Sequence, residues 1–221
     1  MSGRISQFLS VLLERGGFTI GQVRVGSDLL LHHVKDAPAD ASLESFTRPE
    51  DVRKLVLLDD EGKYRPLKTA PNLRRGWLLR LESVEDLRLA LDYFYPAAVG
   101  LWCAWQAGEW QPTPWRETVE RQTGMYRVVG LITEEQSLEL IGSTCRTGCL
   151  RRILWPYAQT APHPDTVDPA SLLSPEATGE IPLLCAEACN LLVAAGRPIV
   201  KAAQKAAAEA AAASAPPPDA A

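Results

Sequence analysis

Two short stretches, Cys145-Arg-Thr-Gly-Cys149 and Cys185-Ala-Glu-Ala-Cys189, share the spacing Cys-x3-Cys with 35 residues between them. A metal ion or cluster needs several deprotonated thiolates converging on one point, and two matched pairs supply such a set. Structural cysteines behave as small apolar residues and have no reason to recur in register. The pattern therefore points to Cys145, Cys149, Cys185 and Cys189 as metal or iron–sulfur ligands. Crossed disulfides and ordinary core packing are the alternatives.

Placed one helical turn apart, the thiols of a pair stand on Cβ atoms about 5–6 Å from each other. A disulfide brings Cβ atoms to about 3.5–4.5 Å, so Cys185 and Cys189 are not expected to bridge. Bridges between the pairs, Cys145 with Cys189 and Cys149 with Cys185, stay open. Zinc draws its sulfurs to about 2.3 Å of one ion and favours tighter pairs. An iron–sulfur cube, with its irons at separate corners, suits the wider spread, which favours a [4Fe-4S] cluster over zinc. Cys185 is expected in the first turn of a helix entered through Pro182, where the helix dipole stabilises a thiolate. Arg146, Arg151 and Arg152 add positive charge beside the first pair, or form a solvated face. Gly142 and Gly148 are expected to let that pair wrap its ligand as a loop.

The other candidates are weaker. Cys103 lies in Leu-Trp-Cys-Ala-Trp and reads as a core residue. His32 and His33 are neighbours on an expected strand and face opposite sides, and His163 sits between prolines, so none is a convincing ligand or base. Trp102, Trp105, Trp110 and Trp115, with Arg116, Arg121, Tyr126 and Arg127, could shape a pocket for a flat anion, although packing is the simpler use.

The elements that position these residues can be read from periodicity. Ile5, Phe8, Leu9, Leu12 and Leu13 have helical spacing, and Gly16-Gly17 stops the helix. Residues 18–25 alternate as one strand, residues 29–34 as a second, and Gly26-Ser27-Asp28 is the turn between them. A polar loop with Pro38 and Pro49 covers 37–50. Further strands are expected at 52–58, 64–68 and 77–81, with a turn at 59–62. Ser83 caps a helix that Pro96 ends, and an apolar segment succeeds it at 97–105. Thr113-Pro114 opens a helix over 115–122, with Pro114 at its first position. Thr133-Glu-Glu-Gln136 is a capping box for a helix over 134–141. Residues 156–180, with five prolines, form a connector. Helices are then expected over 183–195 and 199–213, separated by Gly196-Arg-Pro198.

The fold class is α+β: an N-terminal helix with a small, mostly antiparallel sheet over 1–82, then a mainly helical cysteine-ligated domain over 83–213. A disordered tail is expected over 214–221. Across 221 residues the formal net charge is -4, which argues against a general electrostatic grip on nucleic acid or an anionic membrane. No apolar run approaches the ~20 residues of a spanning helix, and residues 1–15 do not have the form of a signal peptide. A cytoplasmic, reducing location is expected, where paired cysteines hold metal more often than each other.

Three runs carry a family resemblance: Arg121-Gln-Thr-Gly-Met-Tyr-Arg127, Cys145-x3-Cys149-Leu-Arg-Arg-Ile-Leu-Trp155, and Ile181-Pro-Leu-Leu-Cys-x3-Cys-Asn-Leu-Leu-Val193. Together they resemble the C-terminal part of multidomain proteins related to CbiX-type sirohydrochlorin chelatases. In those proteins a chelatase-like region precedes a small stabilising domain and a [4Fe-4S]-binding domain. The resemblance covers residues 80–200 best and implies that Cys145, Cys149, Cys185 and Cys189 are the cluster ligands. The chain is too short to add a chelatase domain and has no histidine arrangement for the inserted metal, so chelatase activity is not implied.

The expected function is that of an electron-transfer or redox accessory linked to sirohydrochlorin, cobalamin or siroheme metabolism, rather than an enzyme. Its expected partner is a separately encoded chelatase, another tetrapyrrole enzyme or a redox protein. The alternative is an interaction module stapled by zinc or by a cluster without a redox role. A third reading, an enzyme using Arg121 and Arg127, rests on the tryptophan–arginine set alone.

Overall fold

The computed structural model describes residues 2–36, 42–57, 76–146, 149–157 and 174–214. They form two compact units. The first takes its described residues from 1–111, 149–154 and 167–185, the second from 112–148, 155–166 and 186–221. Expectations for 59–62, 64–68, Gly148, His163 and 215–221 fall outside the described residues.

In the first unit, helix α1 (Ser2–Glu14) buries Leu9, Leu12 and Leu13. It ends at Gly16 and Gly17, whose φ values of +97° and +87° suit glycine alone. A Cβ on Gly17 would stand 2.1 Å from the Val25 carbonyl oxygen, so the close approach also requires glycine. Residues 18–25 are not one strand. They fold into a hairpin of β1 (Phe18–Ile20) and β2 (Val23–Val25), turning at Gly21 with φ +55°. The apolar pattern carries the reason: Phe18 and Ile20 are in phase with each other, Val23 and Val25 are in phase, but the two pairs are three residues apart. A continuous strand would turn one pair outward. With the turn, all four side chains are fully buried.

Strands β3 (Leu30–His33), β4 (Glu44–Phe46), β5 (Trp77–Arg80) and β7 (Glu180–Ile181) complete a six-stranded sheet, ordered β4-β5-β3-β2-β1-β7. Its inner pairings are antiparallel, and β4 and β7 add parallel edges. The expected strand at 52–58 is helix α2 (Val52–Leu57), entered through a 3₁₀ turn at Pro49–Asp51. Its buried residues Val52, Leu55 and Val56 fall at i, i+3 and i+4, which is a helical stripe.

Helix α3 (Val84–Phe94) starts where the Ser83 hydroxyl accepts from the Asp86 N–H, and it packs on α1 and α2. The sequence boundary at 82 marks the passage from sheet to helix, whereas the division by contacts falls after Gln111, because α3 closes the core under the sheet. Beyond Pro96, α4 (Ala98–Gln106) resumes. The connector ends in a short helix, α7 (Pro175–Thr178), and then β7. A second ladder pairs β6 (Arg152–Ile153) with β8 (Leu184–Cys185) in parallel.

The second unit is helical. Helix α5 (Trp115–Glu120) has Pro114 itself as its N-cap, one position earlier than expected. A 3₁₀ helix spans Gly124–Leu131, and α6 (Glu134–Cys145) begins with the capping box at Thr133 and Gln136. Helix α8 (Asn190–Ala213) does not break at Pro198. Proline removes one i→i−4 bond there, but the buried stripe Leu192, Val193, Gly196 and Val200 runs through it and packs α8 on α6 and the 3₁₀ helix. At Gly196 an added Cβ would meet the Leu140 side chain at 3.1 Å and Val129 at 3.2 Å, so the missing side chain sets that approach.

Candidate metal centre

Each unit holds two of the four paired cysteines. In the first, Cys185 ends β8, opposite Ile153 in the β6 register, and its carbonyl accepts from the Leu154 N–H at 3.2 Å. Arg152 N–H donates to the Leu183 carbonyl at 2.8 Å, and the Arg151 guanidinium donates to the Leu184 carbonyl at 3.1 Å. Arg151 thus stitches the ladder. Arg152 reaches Glu180 at 3.7 Å. Cys149 lies outside any strand, three residues ahead of Arg152.

The expectation of Cys185 and Cys189 on one helix is therefore corrected. Ile181, ahead of Pro182, is held extended in β7, and Leu183 and Leu184 are buried, Leu184 as a residue of β8. Helix α8 starts only after Cys189. The argument from helical i,i+4 spacing for a cluster over zinc thus has no support in this pair.

In the second unit, Cys145 is the last residue of α6, and the helix continues through Gly142 rather than loosening there. Cys189 is the N-cap of α8, with φ −75° and ψ 158°, and its side chain makes no capping bond. Its carbonyl takes the first helical bond, from Val193 N–H at 3.1 Å. The Leu140–Gly196 contact lies five residues before Cys145 and seven after Cys189. At about 1.5 Å per residue both thiols stand within roughly two turns of one helix–helix contact.

Cys189 is exposed, and Cys145, Cys149 and Cys185 are half-buried, so none is packed away as a small apolar residue. Among the described residues no cysteine is in a disulfide, and no three His, Cys, Asp or Glu side chains converge into a metal-holding group. The donor chemistry fits a sulfur-ligated cluster. The α8 N-terminus beside Cys189 also presents backbone N–H groups, which favour negative charge.

The remaining candidates have other uses. Cys103 on α4 is half-buried against the first core, where burial pushes its thiol pKa up. It borders a cavity of about 160 Å³ with Arg4, Phe8, Trp102, Gln106, Pro175 and Glu176. His33 is buried and accepts the Lys35 N–H at Nδ1, so its Nε2 carries the proton and donates to Gln22 Oε1 at 3.2 Å. His32 Nδ1 donates to the His33 carbonyl.

The tryptophan–arginine set is split, with Trp102, Trp105 and Trp110 in the first unit and the rest in the second. Arg116 donates to the carbonyls of Gly130 and Ile132, Arg121 pairs with Glu187, and Tyr126 lies under Arg197. Glu187 is not singled out by the sequence. Neither is Thr113, whose N–H donates to the Ala186 carbonyl at 3.1 Å. No spacing pattern marks either residue.

Residues 107–198 match the family model described as a 4Fe-4S iron–sulfur cluster binding domain. The class of protein is thereby defined: an iron–sulfur protein whose cofactor is a [4Fe-4S] cluster. Residues 11–106 match the DR2241 stabilising domain. In order along the chain, the two matches thus resemble a DR2241-type stabilising domain followed by a 4Fe-4S cluster binding domain.

A crystal structure of DR2241 from Deinococcus radiodurans is similar over 90% of this chain, at 32% identity and a TM-score of 0.70. It is described as a multi-domain protein with structural similarity to chelatases and two additional novel domains. The present chain spans 41% of it. No curated protein matches the chain. Among the described residues no helix is long and apolar enough to cross a membrane.

Proposed function

We propose that Cys145, Cys149, Cys185 and Cys189 ligate the [4Fe-4S] cluster, and that the protein is an electron-transfer accessory to a tetrapyrrole enzyme. The observation that carries the ligand set is the span of the cluster-domain match. Of the five cysteines, the four paired ones lie within 107–198 and Cys103 lies outside it. A four-iron cube takes four cysteine ligands, and four are there.

When bound, the cluster supplies one-electron chemistry, and full cysteine ligation leaves no open iron site. The chain's own part is to hold the thiolates and stabilise their charge: Cys185 from the end of a strand, Cys145 from a helix end, Cys189 at the amino end of α8. The tetrapyrrole link rests on the chelatase likeness described for the D. radiodurans protein. A chelatase encoded separately, or another tetrapyrrole enzyme, is the partner this reading calls for, in a reducing cytoplasm.

The test is anaerobic purification of the full chain and of single cysteine-to-serine variants. About four iron and four sulfide per chain are expected, with reversible one-electron reduction. Serine at any of the four positions lowers the iron content, while Cys103→Ser keeps it. A cluster that bleaches irreversibly on reduction would rule out the electron-transfer role.

A further inference from the structure

The stretch leading to Cys189 is held at two points within the second unit. Thr113 N–H donates to the Ala186 carbonyl at 3.1 Å, and the Arg121 guanidinium pairs with the Glu187 carboxylate. Arg121 is the C-cap of α5, fixed by its N–H to the Glu117 carbonyl at 3.2 Å. Between this clamp and α8, Ala188 is buried at 4% exposure. Cys189 has an extended N-cap backbone, so its thiol belongs to the approach segment rather than to the helix.

We infer that Arg121 and Glu187 form a positioning pair for the Cys189 ligand, holding its thiolate in place and balancing the charge beside it. The inference rests on Cys189 being a cluster ligand. Glu187 stands two residues from Cys189, and its carboxylate repels a thiolate-ligated site that is itself anionic. Arg121 answers that charge directly. The two side chains are 44% and 43% exposed, so water screens the pair and its tether is modest.

Mechanical and electrostatic roles separate in two single variants. Arg121→Gln leaves the Glu187 charge unanswered beside the cluster, which disfavours adding an electron. Glu187→Gln leaves Arg121 in surplus, which favours it. The reduction potential therefore moves down in the first and up in the second, although both break the same tether. A purely structural pair gives no such opposition.

The experiment uses the full chain, cluster-loaded and anaerobic. It reads iron release to a ferrous chelator and the reduction potential, for wild type, Arg121→Gln, Glu187→Gln, the charge exchange Arg121→Glu with Glu187→Arg, and Cys189→Ser. Each glutamine variant is expected to release iron about two- to fivefold faster. The exchanged pair returns to within about twofold of wild type. The two potentials shift in opposite directions. Wild-type release and potential in both glutamine variants, with Cys189→Ser depleted of iron, overturn the positioning role alone. Shifts of the same sign overturn the charge role. Full cluster retention in Cys189→Ser overturns the ligand assignment, and the proposal falls with it.

Discussion

Ser137→Ala tests the joint that aims α6, and with it Cys145. The Ser137 hydroxyl accepts from Trp115 Nε1–H at 2.9 Å and donates to the Thr133 carbonyl at 2.8 Å. Trp115 is 1% exposed and Ser137 0%, so water cannot replace either partner. The Thr133 carbonyl keeps the Ser137 backbone N–H at 3.0 Å after the substitution. What is lost is one acceptor, and a buried indole N–H is left unsatisfied, which costs about 1–3 kcal/mol. For a chain of this size about 2 kcal/mol corresponds to a fall of about 4–8 °C in the thermal midpoint.

Trp115→Phe supplies the control. It removes the donor along with the indole and keeps a ring toward Trp155, whose centroid is 5.9 Å away. In that background Ser137→Ala is expected to cost less than about 0.5 kcal/mol. The assay is the midpoint of the cluster-loaded chain by far-ultraviolet circular dichroism, anaerobically and at one scan rate. Equal shifts in the two backgrounds would mean that the hydrogen bond does not carry the α5–α6 joint, and the argument would be wrong.

Three further outcomes are expected. Gly17→Ala drives a Cβ to 2.1 Å from the Val25 carbonyl oxygen at φ +87°, and should destabilise the first unit by at least about 2 kcal/mol, read as a lower thermal midpoint. Cys103→Ser should leave iron and sulfide unchanged, and alkylation of Cys103 should be slow at neutral pH because burial holds it as the thiol. Burial also pushes the Tyr95 phenol above its usual range. Its stabilisation of the fold is then fully present below the unfolded phenol's pKa of about 10 and is lost as pH rises through the higher folded value. Tyr95→Phe should flatten that alkaline decline in thermal midpoint, while weakening the turn whose Gln22 N–H the phenol accepts at 2.9 Å.

Local signals are legible wherever one or two side chains decide a conformation. The glycine stop after α1, the Ser83 cap, the Thr133 capping box and the turn before β3 depend on groups a few residues apart, and all stand where the sequence puts them. The α1 and β5 assignments rest on periodicity alone and also hold. The hairpin within 18–25 is written in the chain as a phase slip between Ile20 and Val23. Helix α2 is written as helical spacing in a run whose apolar, β-branched content suggests a strand.

The helix expected over 183–195 fails for a different kind of reason. Leu183-Leu-Cys-Ala-Glu-Ala-Cys189 is rich in the good helix formers Leu, Ala and Glu, and nothing local forbids a helix after Pro182. Its first residues are extended because a distant segment, Arg152–Ile153, supplies backbone partners that outweigh a propensity of tenths of a kcal/mol per residue. The same holds at Pro198, where packing along α8 outweighs one lost bond.

By itself the sequence singled out the candidate donors: four thiols in two matched pairs, set apart from a fifth that packs. That choice needs only residue type and spacing, because the capacity for thiolate ligation is a property of the side chain. Tertiary structure alone decided how three of these thiols are presented, Cys185 on a strand, Cys145 at a helix end and Cys189 at a helix start, and brought Arg121 to Glu187 across 66 residues. Such pairings arise between segments remote in the chain, and no local preference encodes them.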